Sequence, residues 1–190
     1  MHTIRQASAL VALGFALSGA IAGDIENSSV FSTGAVNTSA GFSSTARQNI
    51  GVAEQQGKIT NSTVIVNGAN NTAAGLMSSA TQSVGRATNN GRISNSMILG
   101  QGLSNVAAGF SSTATQEVGF AKGNGVVENS AVSALGASNL AVGFSSTARQ
   151  KIGGAEGNGK LRNSMVVATG SVNTAGGLMS TADQSIGVAK

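Results

Sequence analysis

The side chains best placed to do chemistry in this sequence are carboxamides. Asn37, Asn71, Asn105, Asn139 and Asn173 follow one another at a spacing of 34 residues, and so do Gln48, Gln82, Gln116, Gln150 and Gln184. An amide oxygen accepts and its NH2 donates, so identical amides one strand spacing apart can bond the copy above and the copy below. Proton-transfer and nucleophilic chemistry have far less to work with. The chain contains no Cys, and its single His is His2, in a leader argued below to be removed. No thiolate or His-based metal site, Ser-His-Asp triad, Cys nucleophile or disulfide scaffold can then be built from one mature chain. The acidic residues show no paired motif recurring from copy to copy, which a two-carboxylate hydrolase would need. The expectation is a protein that is not an enzyme and has no cofactor or metal.

The amides belong to a repeat that covers residues 27–190 without insertion or deletion, as copies 27–60, 61–94, 95–128, 129–162 and 163–190. Counted from the Asn that opens each copy, position 8 is always Gly, 11 Asn, 15 Gly, 18 Ser, 20 Ala, 22 Gln, 25 Gly and 27 Ala. Paired helices can have a repeat of this length, but Gly at positions 8, 15, 25 and 31 would weaken any helix every few turns. The periodicity is that of strands. From position 16 to 24 the even positions are nearly constant (Phe/Leu, Ser, Ala, Gln, Ile/Val), while the odd ones carry Arg47, Glu117, Arg149, Lys151 and Asp183. That alternation predicts a half-buried strand. Further strands are expected around Ser28-x-Val30 and its copies and near Ile59, Ile93, Val127 and Leu161. Turns are expected at the Gly-x-x-Asn of positions 8–11 and at the glycines of positions 25 and 31. The chain has no Pro, which suits uninterrupted backbone pairing.

The fold class expected is all-β, a β-solenoid or cross-β stack of five repeats with one layer per repeat. In such a stack equal positions lie roughly 4.8 Å apart, so charges there should be opposite. Glu117 meets Lys151, Glu128 meets Arg162, Arg149 meets Asp183, and Lys122, Glu156 and Lys190 alternate; only Lys58 over Arg92 is like-charged. A half-length, two-layer repeat is the rival, and it would leave those charges two layers apart. The Gln48 column shares a strand face with Phe42 and Ile50, which favours a ladder of stacked amides. For the Asn37 column, three residues after Gly34 and its copies, a ladder and a turn are equally open. The column Phe42, Leu76, Phe110, Phe144 and Leu178 is expected to fill the core.

Residues 1–22 read as a secretory signal peptide: Arg5, an apolar stretch from Ala9 to Leu17, then Ala20-Ile21-Ala22, with cleavage between Ala22 and Gly23. Residues 23–26 form a short segment ahead of the repeats. No later stretch reaches about 18 consecutive apolar residues, so no transmembrane segment is expected. The formal net charge is +4 with scattered basic residues and few aromatics, which gives little purchase on nucleic acid. The repeats reach Lys190 without a divergent cap, and uncapped edges that match each other are templates for adding another molecule. Contacts of that kind do not close, and they give filaments.

The string Asn71-Thr72-Ala73-Ala74-Gly75, repeated as Asn105-Val106-Ala107-Ala108-Gly109, resembles the Asn-x-Ala-Ala-Gly core of Fap repeats. The run Gly68-x-x-Asn71-x-Ala73 is similar to the Gly-x-x-Asn-x-Ala of curli repeats. The chain departs from both: Gln82 follows Ala73 by more than in curli, and the long linkers and C-terminal Cys pair of Fap subunits have no counterpart. The resemblance to these bacterial functional amyloids implies export through an outer-membrane pore of a Gram-negative cell, assembly started by a nucleating subunit, and homopolymer fibres serving biofilm matrix and adhesion. The alternative is a monomeric secreted β-solenoid binding ice or polysaccharide on a flat face. Its candidate column is Thr45, Ser79, Thr113, Thr147 and Thr181.

Overall fold

The computed structural model describes residues 23–190; the signal segment, with Ala22 on one side of the expected cleavage point, lies outside the described residues. Every described element is a β-strand. The first four are β1 (Asp24–Glu26), β2 (Ser29–Thr33), β3 (Val36–Gly41) and β4 (Thr45–Ile50). The set recurs in each copy, ending with β17 (Lys160–Arg162), β18 (Met165–Thr169), β19 (Val172–Gly176) and β20 (Met179–Ile186). Four five-stranded parallel sheets result, each taking one strand from every turn of the chain. Register is constant: Ala46 lies opposite Ala80, Gln48 opposite Gln82 and Ile50 opposite Val84. The molecule is therefore a β-solenoid with one layer per repeat, and the half-length rival is excluded.

The strands differ from the sequence expectation in three places. The segment 23–26 is not a preface to the repeats, because Asp24, Ile25 and Glu26 pair in register with Lys58, Ile59 and Thr60. Layers thus begin at Gly23, Gly57, Gly91, Gly125 and Gly159, and we call them rungs one to five. Within a rung the start meets the end: the Gly91 N–H donates to the Lys122 carbonyl (2.7 Å) and the Gly125 N–H to the Glu156 carbonyl (2.9 Å). Second, positions 10–15 form a strand, β3 and its copies, where a turn was expected from position 8 onward. The corner needs only the glycine column, whose φ runs from 59° at Gly102 to 67° at Gly68. Third, the strand expected from position 16 starts later, at Thr45 in rung one. Another corner is made by the Asn that opens each copy, with φ of 46° to 50° from Asn27 to Asn163. Asn tolerates this left-handed geometry better than most residues with a Cβ.

Alternation then sets what is inside. The larger core cluster stacks Ile59, Ile93 and Val127 beside Val64, Ile98 and Val132 and beside Val84, Val118 and Ile152. The smaller one is alanine alone, with Ala73, Ala107 and Ala141 facing Ala46, Ala80, Ala114 and Ala148. This cluster lies between the sheets of β3 and β4. The position-25 glycines hold a different tight spot. A Cβ on Gly85 would sit 2.6 Å from Cγ2 of Ile98, on a backbone already at φ 59°. Gly34 has a similar φ of 63° but nothing within 4 Å of its notional Cβ.

This pair separates backbone strain from packing. Gly34→Ala should lower unfolding free energy by about 1–2 kcal/mol through left-handed strain alone. Gly85→Ala should cost a further ~1–3 kcal/mol because the Ile98 column cannot yield freely. Equal losses in denaturant titrations would contradict the close packing assigned to Gly85.

Candidate functional site

Between the two core clusters lie the amides. In rungs two to four Asn71, Asn105, Asn139, Gln82, Gln116 and Gln150 are all 0% exposed, where an unpaired amide would be costly. They are paired. Asn37 Nδ2 donates to Asn71 Oδ1 (2.9 Å), Asn71 to Asn105 (2.8 Å), Asn105 to Asn139 (2.7 Å) and Asn139 to Asn173 (2.8 Å). For the Asn column the ladder, not the turn, is the observed role: these residues lie in β3 and its copies. The other Asn column, Asn27 and its copies, is the one that turns the chain.

The Gln ladder runs in the opposite sense. Gln82 Nε2 donates to Gln48 Oε1 (2.8 Å), Gln116 to Gln82 (2.7 Å), Gln150 to Gln116 (2.5 Å) and Gln184 to Gln150 (2.7 Å). Both ladders also bind the two sheets together. Asn71 Nδ2 reaches the Thr81 carbonyl across the arc (2.9 Å), and Gln82 Nε2 reaches the Ala69 carbonyl (3.1 Å). The Asn amides are therefore rivets, vertical to their copies and horizontal to the facing strand, while Gln82 and Gln150 also tie to the corner carbonyls of Ala69 and Ala137.

The column Phe42, Leu76, Phe110, Phe144 and Leu178 does not fill the core. All five are exposed, from 45% at Phe144 to 81% at Leu178. They lie on the arc between β3 and β4, outside the strands, so the alternation that holds from position 20 to 24 does not extend to them. Position 18 is inward, as the alternation expects: Ser44 Oγ donates to the Ala74 carbonyl (2.9 Å) and Ser78 Oγ to the Ala108 carbonyl (2.6 Å). The aromatic column is a surface spine, on which Phe110 and Phe144 stack with centroids 5.3 Å apart.

Charges also pair, between rungs along columns and diagonals and once within a rung. Arg149 meets Asp183 directly (3.7 Å), and Lys58 meets Asp24 (4.0 Å). Glu117, expected opposite Lys151, pairs with Arg86 (3.4 Å), while Lys151 pairs with Glu156 (3.1 Å) and lies over the Phe120 ring. Arg92 pairs with Glu128. The like-charged step of Lys58 over Arg92 is thereby relieved on both sides, by Asp24 and by Glu128. Asp24 escaped the sequence reading because it was placed outside the repeats.

Two surfaces are incomplete by construction. Rung one (β1 to β4) and rung five (β17 to β20) each pair on one side only, so each leaves a row of backbone N–H and C=O groups open among the described residues. These edges, the surface spine and the two ladder ends are what the molecule offers to a partner. No group of three or more metal-ligating side chains is found among the described residues, and no described helix is long and apolar enough to cross a membrane. Comparison with protein-family models, with curated proteins and with solved structures finds no match.

The ladder makes a sharp demand on variants. Asn105→Ala leaves Asn71 without its acceptor and Asn139 without its donor partner inside a dry interior. It should cost about 2–4 kcal/mol, since each buried polar group left unpaired costs ~1–3 kcal/mol. Thr115→Ala, on the outward face of the neighbouring strand, should cost under about 0.5 kcal/mol. Chemical denaturation compares the two, and similar losses would remove the stabilising role of the ladder.

Proposed function

We propose that this protein is a secreted structural subunit that stacks end to end into extracellular amyloid-like fibres. The observation that carries the reading is the pair of open edges. Rung one and rung five present the same sheets in the same order, with Asn37 answering Asn173, Gln48 answering Gln184 and Ser28 answering Ser164. A second molecule placed on either face would continue every sheet, which is strand addition with four strands at once. A contact of that type does not close, so it propagates.

The setting follows from the sequence resemblance to curli and Fap subunits: export through an outer-membrane pore of a Gram-negative cell, a nucleating partner, and a role in biofilm matrix and adhesion. The exposed spine through Phe110 and Phe144 supports the matrix role, because a continuous apolar row along a fibre can bind neighbouring fibres. The alternative of a flat ligand-binding face rests on the Thr45 column, which is one file of hydroxyls wide.

Purified protein should form filaments without any cofactor. Their meridional spacing should be ~4.8 Å, and five rungs per molecule should give an axial subunit repeat of roughly 24 Å. Both are read from fibre diffraction or cryo-electron microscopy. A protein that stays monomeric at high concentration would overturn the proposal.

A further inference from the structure

The two end rungs are not interchangeable, and their charges say which way they meet. Rung one carries Asp24, Glu26 and Glu54 against Arg47, a net of two negative side-chain charges. Rung five carries Lys160, Arg162 and Lys190 against Asp183, a net of two positive ones. No other charged residue occurs in either rung. Laid in the repeat's own register, every one of these charges meets an opposite one: Asp24 with Lys160, Glu26 with Arg162, Arg47 with Asp183, and Glu54 with Lys190.

Inside the molecule two of these columns already carry such bridges, Asp24 to Lys58 at 4.0 Å and Arg149 to Asp183 at 3.7 Å. The end charges are otherwise unspent. Among the described residues, Glu26, Arg47, Glu54, Lys160, Arg162 and Lys190 form no ion pair, whereas Lys122 is the only unpaired charge between them. The amides point the same way. The Asn ladder donates toward rung five and the Gln ladder toward rung one. Asn173 Nδ2 can then donate to Asn37 Oδ1 of the next molecule, and Gln48 Nε2 of that molecule to Gln184 Oε1. Turned head to head, two rung-one faces would bring two net-negative surfaces together.

Resting on the fibre reading, we infer that a second copy of this chain docks in one orientation, rung one on rung five in unbroken register. The four opposed charge pairs make that choice. Exposed ion pairs add little affinity singly, but like charges brought together cost several kcal/mol, so the pattern acts as a filter on orientation and partner.

Two variants test this. Glu26→Lys with Glu54→Lys makes rung one positive, so both ends repel. Arg162→Glu with Lys190→Glu makes rung five negative, with the same result. In low salt each variant alone should elongate its own seeds about tenfold more slowly than the wild type, or worse. An equimolar mixture should return to the wild-type rate, because each variant's ends fit the other's. That recovery also shows both variants folded. Salt near 1 M, where screening acts within ~3 Å, should narrow the gap for each variant alone. Wild-type rates for either variant alone in low salt, or a mixture as slow as its components, would overturn the charge-directed junction while leaving fibre formation standing. Failure of the wild type to assemble under any of these conditions would instead remove the fibre reading itself.

Discussion

The whole structure depends on one constraint: each backbone N–H and C=O along a rung points at the next rung, so every residue must tolerate its own copy at about 4.8 Å. Few side chains meet that condition when buried. Aliphatic columns do, as Ile59 over Ile93 shows, and so do carboxamides, which carry donor and acceptor on one group. Charges do not, and most are placed on outward positions where they pair, as Arg149 with Asp183 does, while the buried Glu117 is held by Arg86. Corners fall to Gly34 and Asn27 and their copies, because a column of left-handed residues must be left-handed in every rung.

Much of this was legible before any coordinates. The period, the inward faces at Ala46 and Gln48 and the amide ladder of Gln48 follow from residues that recur in every copy, and the one-layer stack follows from opposite charges at equal positions. The Asn37 ladder was half legible, since Gly-x-x-Asn is also turn chemistry; what settles it is that the turn needs only the glycine. The aromatic column was misread for a definite reason. An alternation of period two persists on paper through an arc, but the chain bends there and Phe42 swings outward while Ser44 turns in. The strand β1 at Asp24 lies outside the repeats as counted, because a repeat has no natural start and counting from the first Asn cuts one rung in two.

The same constraint joins fold to function. A molecule that stabilises each layer by the copy beside it has two layers with one neighbour among the described residues, and in rungs one and five that leaves strand edge, amide and charge unpartnered there. The interior of the molecule is thus a record of what its ends require. On the proposed reading, a further copy would supply all three at once.

The central claim is that buried amides stacked on their own copies hold the rungs together. Hydrogen exchange of side-chain NH2 groups, followed by NMR in the folded protein, addresses it most directly. The account predicts that Asn105 and Gln116, which are 0% exposed and bonded above or below, exchange only on global unfolding. The exposed corner residues Asn61 and Asn95 should exchange at rates near those of a free amide. Fast exchange at Asn105 and Gln116, equal to that of the corners, would contradict the ladder and the stacking account built on it.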